Sequence, residues 1–283
     1  QPVEIKHPAK EAFDEGRYRD AILIYEGMLY AAERRSTKNA DRIGYIHWLL
    51  GRSYSKLNEH DKALEHFFKC LGTKLEVEGK ESLDVASASR WIGSSYDEKG
   101  EYDKALEHYQ KALAIRLKQL GPEHPDVAMS YGIISEILAL ASKPDFVKAH
   151  EYNKKAEAIY KEKEGDNSSG MSSVYYYRGI IYYAQEDFPE AKESLLKALD
   201  FIESTPKPEP LMVARRHHEL GRTEKALGDI KKAREHLEKA LKIREDMLPA
   251  GHPDIKKTKT ELDKLPKQEK KKAGLQPALQ FAG

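Results

Sequence analysis

The sequence predicts an all-α protein, a right-handed superhelical solenoid of stacked helical hairpins. Three observations carry this reading. Alanine recurs at Ala21, Ala63, Ala105, Ala149, Ala191 and Ala233, in steps of 42, 42, 44, 42 and 42 residues, and self-similarity at a fixed period marks a repeat architecture. Around that alanine run helix-spaced positions: Tyr25, Phe67 and Tyr109 four residues later, then Cys70, Ala112, Ala156, Ala198 and Ala240 seven later, one face of a helix. Twelve residues before it stand Gly51, Gly93, Gly179 and Gly221, which places a second helix ahead of each first. Small residues where two helices approach and large ones filling the gap define a helical hairpin. One hairpin cannot bury its apolar side alone, whereas six in series build a continuous core.

The units follow in order. The first turns at Gly16 and continues through Tyr18, Ala21 and Tyr25; the second carries Gly51 and Tyr54, turns at Asn58 and resumes at His60. The third repeats this as Gly93, Tyr96, Gly100 and Tyr102. Gly and Asn at the turn tolerate the left-handed backbone that closes a helix. In the fourth unit Ser135 replaces the glycine and Leu138 the tyrosine, and Ser142-Lys143-Pro144-Asp145 contains the two extra residues of the 44-step, so a local change of superhelical twist is expected. The fifth has Gly179, Tyr182 and Phe188, and the sixth Gly221, Gly228 and Ile230. Residues 165–170 and 205–210 read as exposed loops. Asp84, Asp126 and Asp254 cap or begin helices, where a negative charge meets the positive end of the helix dipole. The solenoid spans residues 1–265, with a capping helix after about residue 252; residues 266–283 form a Lys-rich, then apolar, tail.

Composition excludes several classes. Against 48 Lys plus Arg stand 47 Asp plus Glu, a formal net charge of +1, without the positive excess of a broad nucleic-acid surface. Mean hydropathy is −0.73, yet 40% of residues are hydrophobic and 16 are Tyr, too many anchors for a disordered chain. The sequence has one cysteine, Cys70, and no 18-residue apolar run. A cytoplasmic protein with no internal disulfide and no membrane insertion is expected. Since residue 1 is Gln, the chain reads as a fragment.

Candidate chemistry dissolves into the repeat. The His-Pro-Asp triplets at 124–126 and 252–254 fall at one phase of the period, where Pro and Asp start a helix. His217 and His218 are adjacent, so on a helix they point about 100° apart and suggest no metal pair. Cys70 takes a slot that alanine fills in later units, a small buried residue. No phosphate loop or nucleophile motif is visible, so neither an enzyme nor a bound cofactor is expected. Lys264 to Lys272 is interrupted by Glu269 and reads as a solvated helix end.

The small residue, aromatic and paired alanines resemble the tetratricopeptide repeat over about residues 3–265. The 42-residue period and the linker Leu120-Gly121-Pro122-Glu123-His124-Pro125-Asp126, partly repeated at 248–254, look like those of kinesin light chains. The resemblance implies that the first helix of each hairpin lines a concave groove for peptides. Carried over by register, the groove holds Trp48, Arg52, Arg90, Ser94, Tyr176, His218 and Arg222, with Tyr183 further along the face and Tyr45 and Arg215 one turn before; Gly132, Glu136, Ile180, Asp97 and Lys225 belong to the same face. Arg with Trp and Tyr suits a short acidic peptide with an apolar or aromatic anchor. A non-catalytic adaptor binding linear segments of partner proteins is therefore expected. The alternative is a regulator whose curvature is switched by a peptide or metabolite. The tail, 18 residues from Pro266 to Gly283, reaches roughly 60 Å when extended and offers a route to tail-in-groove self-association.

Overall fold

The computed structural model describes residues 8–34, 39–165 and 169–266. The expected tail-in-groove contact falls on residues outside this set. The described chain forms thirteen helices and no strand: α1 Pro8–Asp14, α2 Tyr18–Glu33, α3 Ala40–Lys56, α4 His60–Glu78, α5 Leu83–Glu98, α6 Tyr102–Leu120, α7 Pro125–Leu140, α8 Phe146–Glu164, α9 Ser169–Ala184, α10 Phe188–Glu203, α11 Pro210–Ala226, α12 Ile230–Met247 and α13 Pro253–Asp263. The first twelve pair as antiparallel neighbours, each second helix also packs on the first helix of the next pair, and α13 closes the stack against α12. This is an all-α solenoid of stacked hairpins.

The repeated alanines explain the spacing. All six are fully buried, and the glycine twelve residues earlier receives the large side chain of the facing helix. A Cβ on Gly51 would lie 2.6 Å from the Phe67 ring, one on Gly93 2.9 Å from Tyr109, and ones on Gly179 and Gly221 2.6 and 2.5 Å from Leu195 and Leu237. Each hairpin is thus a lock of a missing side chain on one helix and a buried large one on the other. The turns behave as the residue types require, with φ of +77° at Gly16, +59° at Asn58, +75° at Gly100 and +84° at Gly228. The fifth unit makes the same turn at Glu186, φ +62°, with no glycine to announce it.

Helix starts differ in one detail. Asp84, Asp126 and Asp254 begin their helices in the first turn, while the caps are Ser82, His124 and His252. In both His-Pro-Asp segments the His Nδ1 accepts the backbone N–H of the Asp, at 3.1 and 3.2 Å. The fourth unit is where the stacking changes. Ser135 is fully buried and its Oγ donates to the Gly132 carbonyl, and Asn153, at the aromatic register of α8, donates to the Val174 carbonyl of α9. There α7 also packs directly on α9, with the Tyr177 ring over Gly132, where a Cβ would lie 2.9 Å from it.

Candidate functional site

The first helices of the early units present a cluster of cations and aromatic rings. Trp48 and Arg52 lie one turn apart on α3, so the guanidinium folds back over the indole, 4.6 Å from its centroid. It also stands 4.9 Å from Phe13 of α1 and 5.7 Å from Trp91 of α5. Arg90 covers the same Trp91 ring at 4.5 Å. Trp48 meets Trp91 edge to face at 6.5 Å, and Tyr45 stacks on Trp48 at 5.6 Å with 53% of its surface exposed. Ser94 follows Arg90 by one turn and touches the phenol of Tyr109. Among the described residues neither Arg52 nor Arg90 forms an ion pair. Burial, with a smaller contribution from the Arg52 charge, disfavours the protonated form of Arg90.

On α11, by contrast, Arg215, Arg222 and Lys225 each hold a carboxylate. Arg215 of α11 donates from Nε to the Tyr176 hydroxyl at 2.7 Å and from Nη2 to Glu136 Oε1 at 3.0 Å, and lies 4.6 Å from the Tyr176 ring centroid. The pair joins α7 to α11 over α9. Glu136 is 5% exposed, whereas the Arg215 side chain remains 46% exposed. Arg222 pairs with Glu219 at 2.7 Å and covers Tyr183 at 4.6 Å; Lys225 pairs with Glu261 at 3.0 Å. Lys257 of α13 comes within 4.0 Å of Glu98 at the end of α5. Beside Glu98, burial and the Glu136 charge push the Asp97 carboxyl up to about 8.

Two residues expected in the groove are packed away from it. Tyr176 is 3% exposed beneath Arg215 and Arg216. His218 is 7% exposed, its Nδ1 3.4 Å from both Arg244 Nη1 and Thr258 Oγ1, and burial pushes its pKa down to about 4. The reason is the register itself: the position three residues before the small residue points sideways at the next first helix. Trp48 meets Trp91, Gly132 meets Tyr177, Tyr176 meets Arg216 and His218 meets Thr258 of α13.

Two repeated devices escaped the sequence reading. His47 and His66 face each other Nδ1 to Nδ1 at 3.0 Å, and His217 and His236 do so at 2.9 Å in the equivalent register of the sixth unit. Burial and the facing ring push both His47 and His217 down to about 4. Their signal was a His four before the glycine with another three after the alanine. The second device is a buried cation eleven residues after the alanine, Lys74, Arg116 or Arg244. Arg116 Nη1 reaches Ser130 Oγ and the Asp126 carbonyl; Arg244 Nη1 reaches Thr258 Oγ1 and the Asp254 carbonyl; Lys74 pairs with Asp41, Glu78 and Asp84. Cys70 is buried, and burial pushes its thiol up to about 11, away from thiolate chemistry. Among the described residues no three His, Cys, Asp or Glu gather as a metal site, and no helix is long and apolar enough to cross a membrane.

Helical hairpins locked small to large and stacked at a 42-residue period define a helical-repeat solenoid protein. Tetratricopeptide repeat models match residues 49–81, 84–162 and 170–246, more than half of the chain, and the chain belongs to the tetratricopeptide repeat family. No curated protein matches it. Among solved structures it is similar to BtubC (BKLC) from P. vanneervenii, at 22% identity and a TM-score of 0.56 over 86% of this chain and 93% of that one. It is also similar to nearly identical TPR-like repeats from Podosopora anserina that carry a kinesin light chain name, at 22% identity and 0.52 over 74% and 98%. Aspartyl phosphate phosphatase F from Bacillus subtilis aligns at 19% identity and 0.66 over 83% of this chain and 57% of its own length. At these identities the likeness is one of fold.

Proposed function

We propose that this protein is a non-catalytic interaction scaffold that binds short acidic segments of partner proteins, anchored by an apolar or aromatic side chain, in the groove of its first three hairpins. The observation that carries the reading is the contrast between the two halves. Among the described residues Arg52 and Arg90 form no ion pair and lie on Phe13, Trp48 and Trp91, while Arg215, Arg222 and Lys225 are paired with the chain's own carboxylates. A guanidinium held flat on an aromatic ring loses little further freedom when it pairs with a carboxylate, and the indole beside it supplies apolar area for the anchor. Family membership supports the scaffold class, and the unpaired cations support the acidic ligand.

The test is binding of acidic, Trp-containing peptides by fluorescence anisotropy. A charge-assisted hydrogen bond contributes about 1.5–3 kcal/mol, and a micromolar ligand binds with about −8 kcal/mol. Arg52→Glu and Arg90→Glu together should therefore remove detectable binding. Unchanged affinity in the double variant would refute the reading.

A further inference from the structure

We infer that Arg215 is a second carboxylate subsite of the groove, held closed by Glu136 acting as an internal stand-in for an acidic side chain of the ligand. This rests on the proposed acidic-peptide reading. Its own evidence is the Arg215 geometry. The guanidinium is fixed by Tyr176 from two sides, the hydroxyl at 2.7 Å and the ring face at 4.6 Å, yet its side chain is still 46% exposed. Two of its donors are taken, Nε by the Tyr176 hydroxyl and Nη2 by a carboxylate from two units earlier, Glu136 Oε1 at 3.0 Å. Glu136 is 5% exposed, so it approaches Arg215 from the groove floor while a ligand approaches from the open side. The arrangement is that of an occupied acid-binding position: a pre-oriented planar donor, an aromatic platform beneath it and a carboxylate already seated. Glu98 and Lys257, 4.0 Å apart, bring α5 and α13 together across the same region.

Asp97 decides how the test is built. It lies close enough to Glu136 and Arg215 to feel both charges, so in a chain lacking the Glu136 carboxylate it is the next anion for Arg215. Removing Glu136 alone would hand the position to Asp97. The informative variant is Glu136→Gln with Asp97→Asn, which keeps both side-chain shapes. Its ligand is a synthetic peptide with one Trp flanked on both sides by Asp, compared with the same peptide carrying Asn in place of Asp.

The double variant should bind the Asp peptide roughly tenfold or more tightly than the unmodified chain, the factor that about 1.4 kcal/mol provides, with no gain for the Asn peptide. Adding Arg215→Gln should erase the gain. Unchanged affinity in the double variant, or a gain that survives loss of Arg215, overturns the inference. Binding that ignores Arg52→Glu and Arg90→Glu overturns the proposed function instead, so the two failures are separable.

Discussion

Gly51 and Gly27 both sit inside helices, and both would gain about 0.8–1 kcal/mol of helix propensity on replacement by Ala. They differ in what the new methyl group meets. At Gly27, on the exposed face of α2, nothing lies within 4 Å, whereas at Gly51 three Phe67 ring atoms lie within 2.9 Å. Ordinary carbon contacts are about 3.5–4.0 Å, so the ring must retreat by roughly an ångström. Phe67 is itself fully buried and close-packed interiors have little slack, so the retreat displaces its neighbours and costs about 1–3 kcal/mol. Gly27→Ala should stabilise the chain by close to 1 kcal/mol and Gly51→Ala, where the packing cost outweighs the same helix gain, should destabilise it by up to about 2 kcal/mol, a difference of about 1–3 kcal/mol between chemically identical substitutions. Phe67→Ala alone should cost about 3–5 kcal/mol by leaving a cavity. The double change Gly51→Ala with Phe67→Ala should cost less than the sum, because the methyl group then enters the space vacated by the ring; coupling of about 0.5–3 kcal/mol is the usual size for touching residues. Urea denaturation followed by circular dichroism measures all four variants. Simple additivity, or a stabilising Gly51→Ala, would refute the small-to-large lock as the origin of the period.

Acid should destabilise the fold. His47, His217 and His218 have folded values near 4 against the usual 6.5; the unfolded chain therefore takes up their protons first, and the stability they confer above pH 6.5 is lost as pH falls towards 4, by about 3 kcal/mol per group. Asp97 runs the other way: its folded value near 8 lies above 3.8, so its contribution is present in acid and lost as pH rises through 8. Between about pH 4 and 6.5 the three histidines outweigh Asp97, and above 6.5 Asp97 acts against stability until pH 8, so urea midpoints measured from pH 4 to pH 9 should rise to about pH 6.5 and fall beyond it; Asp97→Asn should remove the alkaline fall and steepen the acid limb. At the turn of the fifth unit, Glu186→Gly relieves a left-handed backbone that is unfavourable for an L-residue by about 1–2 kcal/mol, offset by about 0.5–1 kcal/mol of glycine flexibility. A higher melting temperature is expected, and a lower one would show that Glu186 makes a contact worth more than the strain.

The period, the helix pairs and the turns were legible because each depends on residues close in sequence. Gly51 and Phe67 are sixteen residues apart, and the same pair recurs in other units, so local chemistry repeats itself in the letters. The turn at Glu186 is hidden because neither Gly nor Asn stands there to signal the left-handed backbone that the position adopts, and an Asp near a helix start marks the end of the helix without distinguishing cap from first turn, as at Asp84, Asp126 and Asp254. The groove was less legible. Register placed Trp48, Arg90, Tyr176 and His218 on one face, but how open such a position remains is set by the next helix. It is closed over His218 by Thr258 and Arg244, and over Tyr176 by Arg215 and Arg216.

What a single repeat cannot encode is the meeting of units that are not neighbours. Arg215 and Glu136 are 79 residues apart and look alike, from sequence, to any exposed Arg and Glu on a groove face. They meet because the stack tightens at the fourth unit, where the glycine and aromatic of the hairpin lock give way to Ser135 and Asn153 and α7 closes on α9. The buried cation is also missing there: Tyr160 and Ile202 occupy the register of Lys74, Arg116 and Arg244, and hydrogen bonds from Asn153 to Val174 and from Ser172 to Ala198 join α8 to α9 and α9 to α10 instead. The sequence irregularity and the pairing in the groove are therefore one feature. A unit that departs from the repeat lets two distant first helices share an ion pair; among the described residues Arg52 and Arg90 of the early units form no ion pair, whereas Arg215, Arg222 and Lys225 of the last unit each hold a carboxylate.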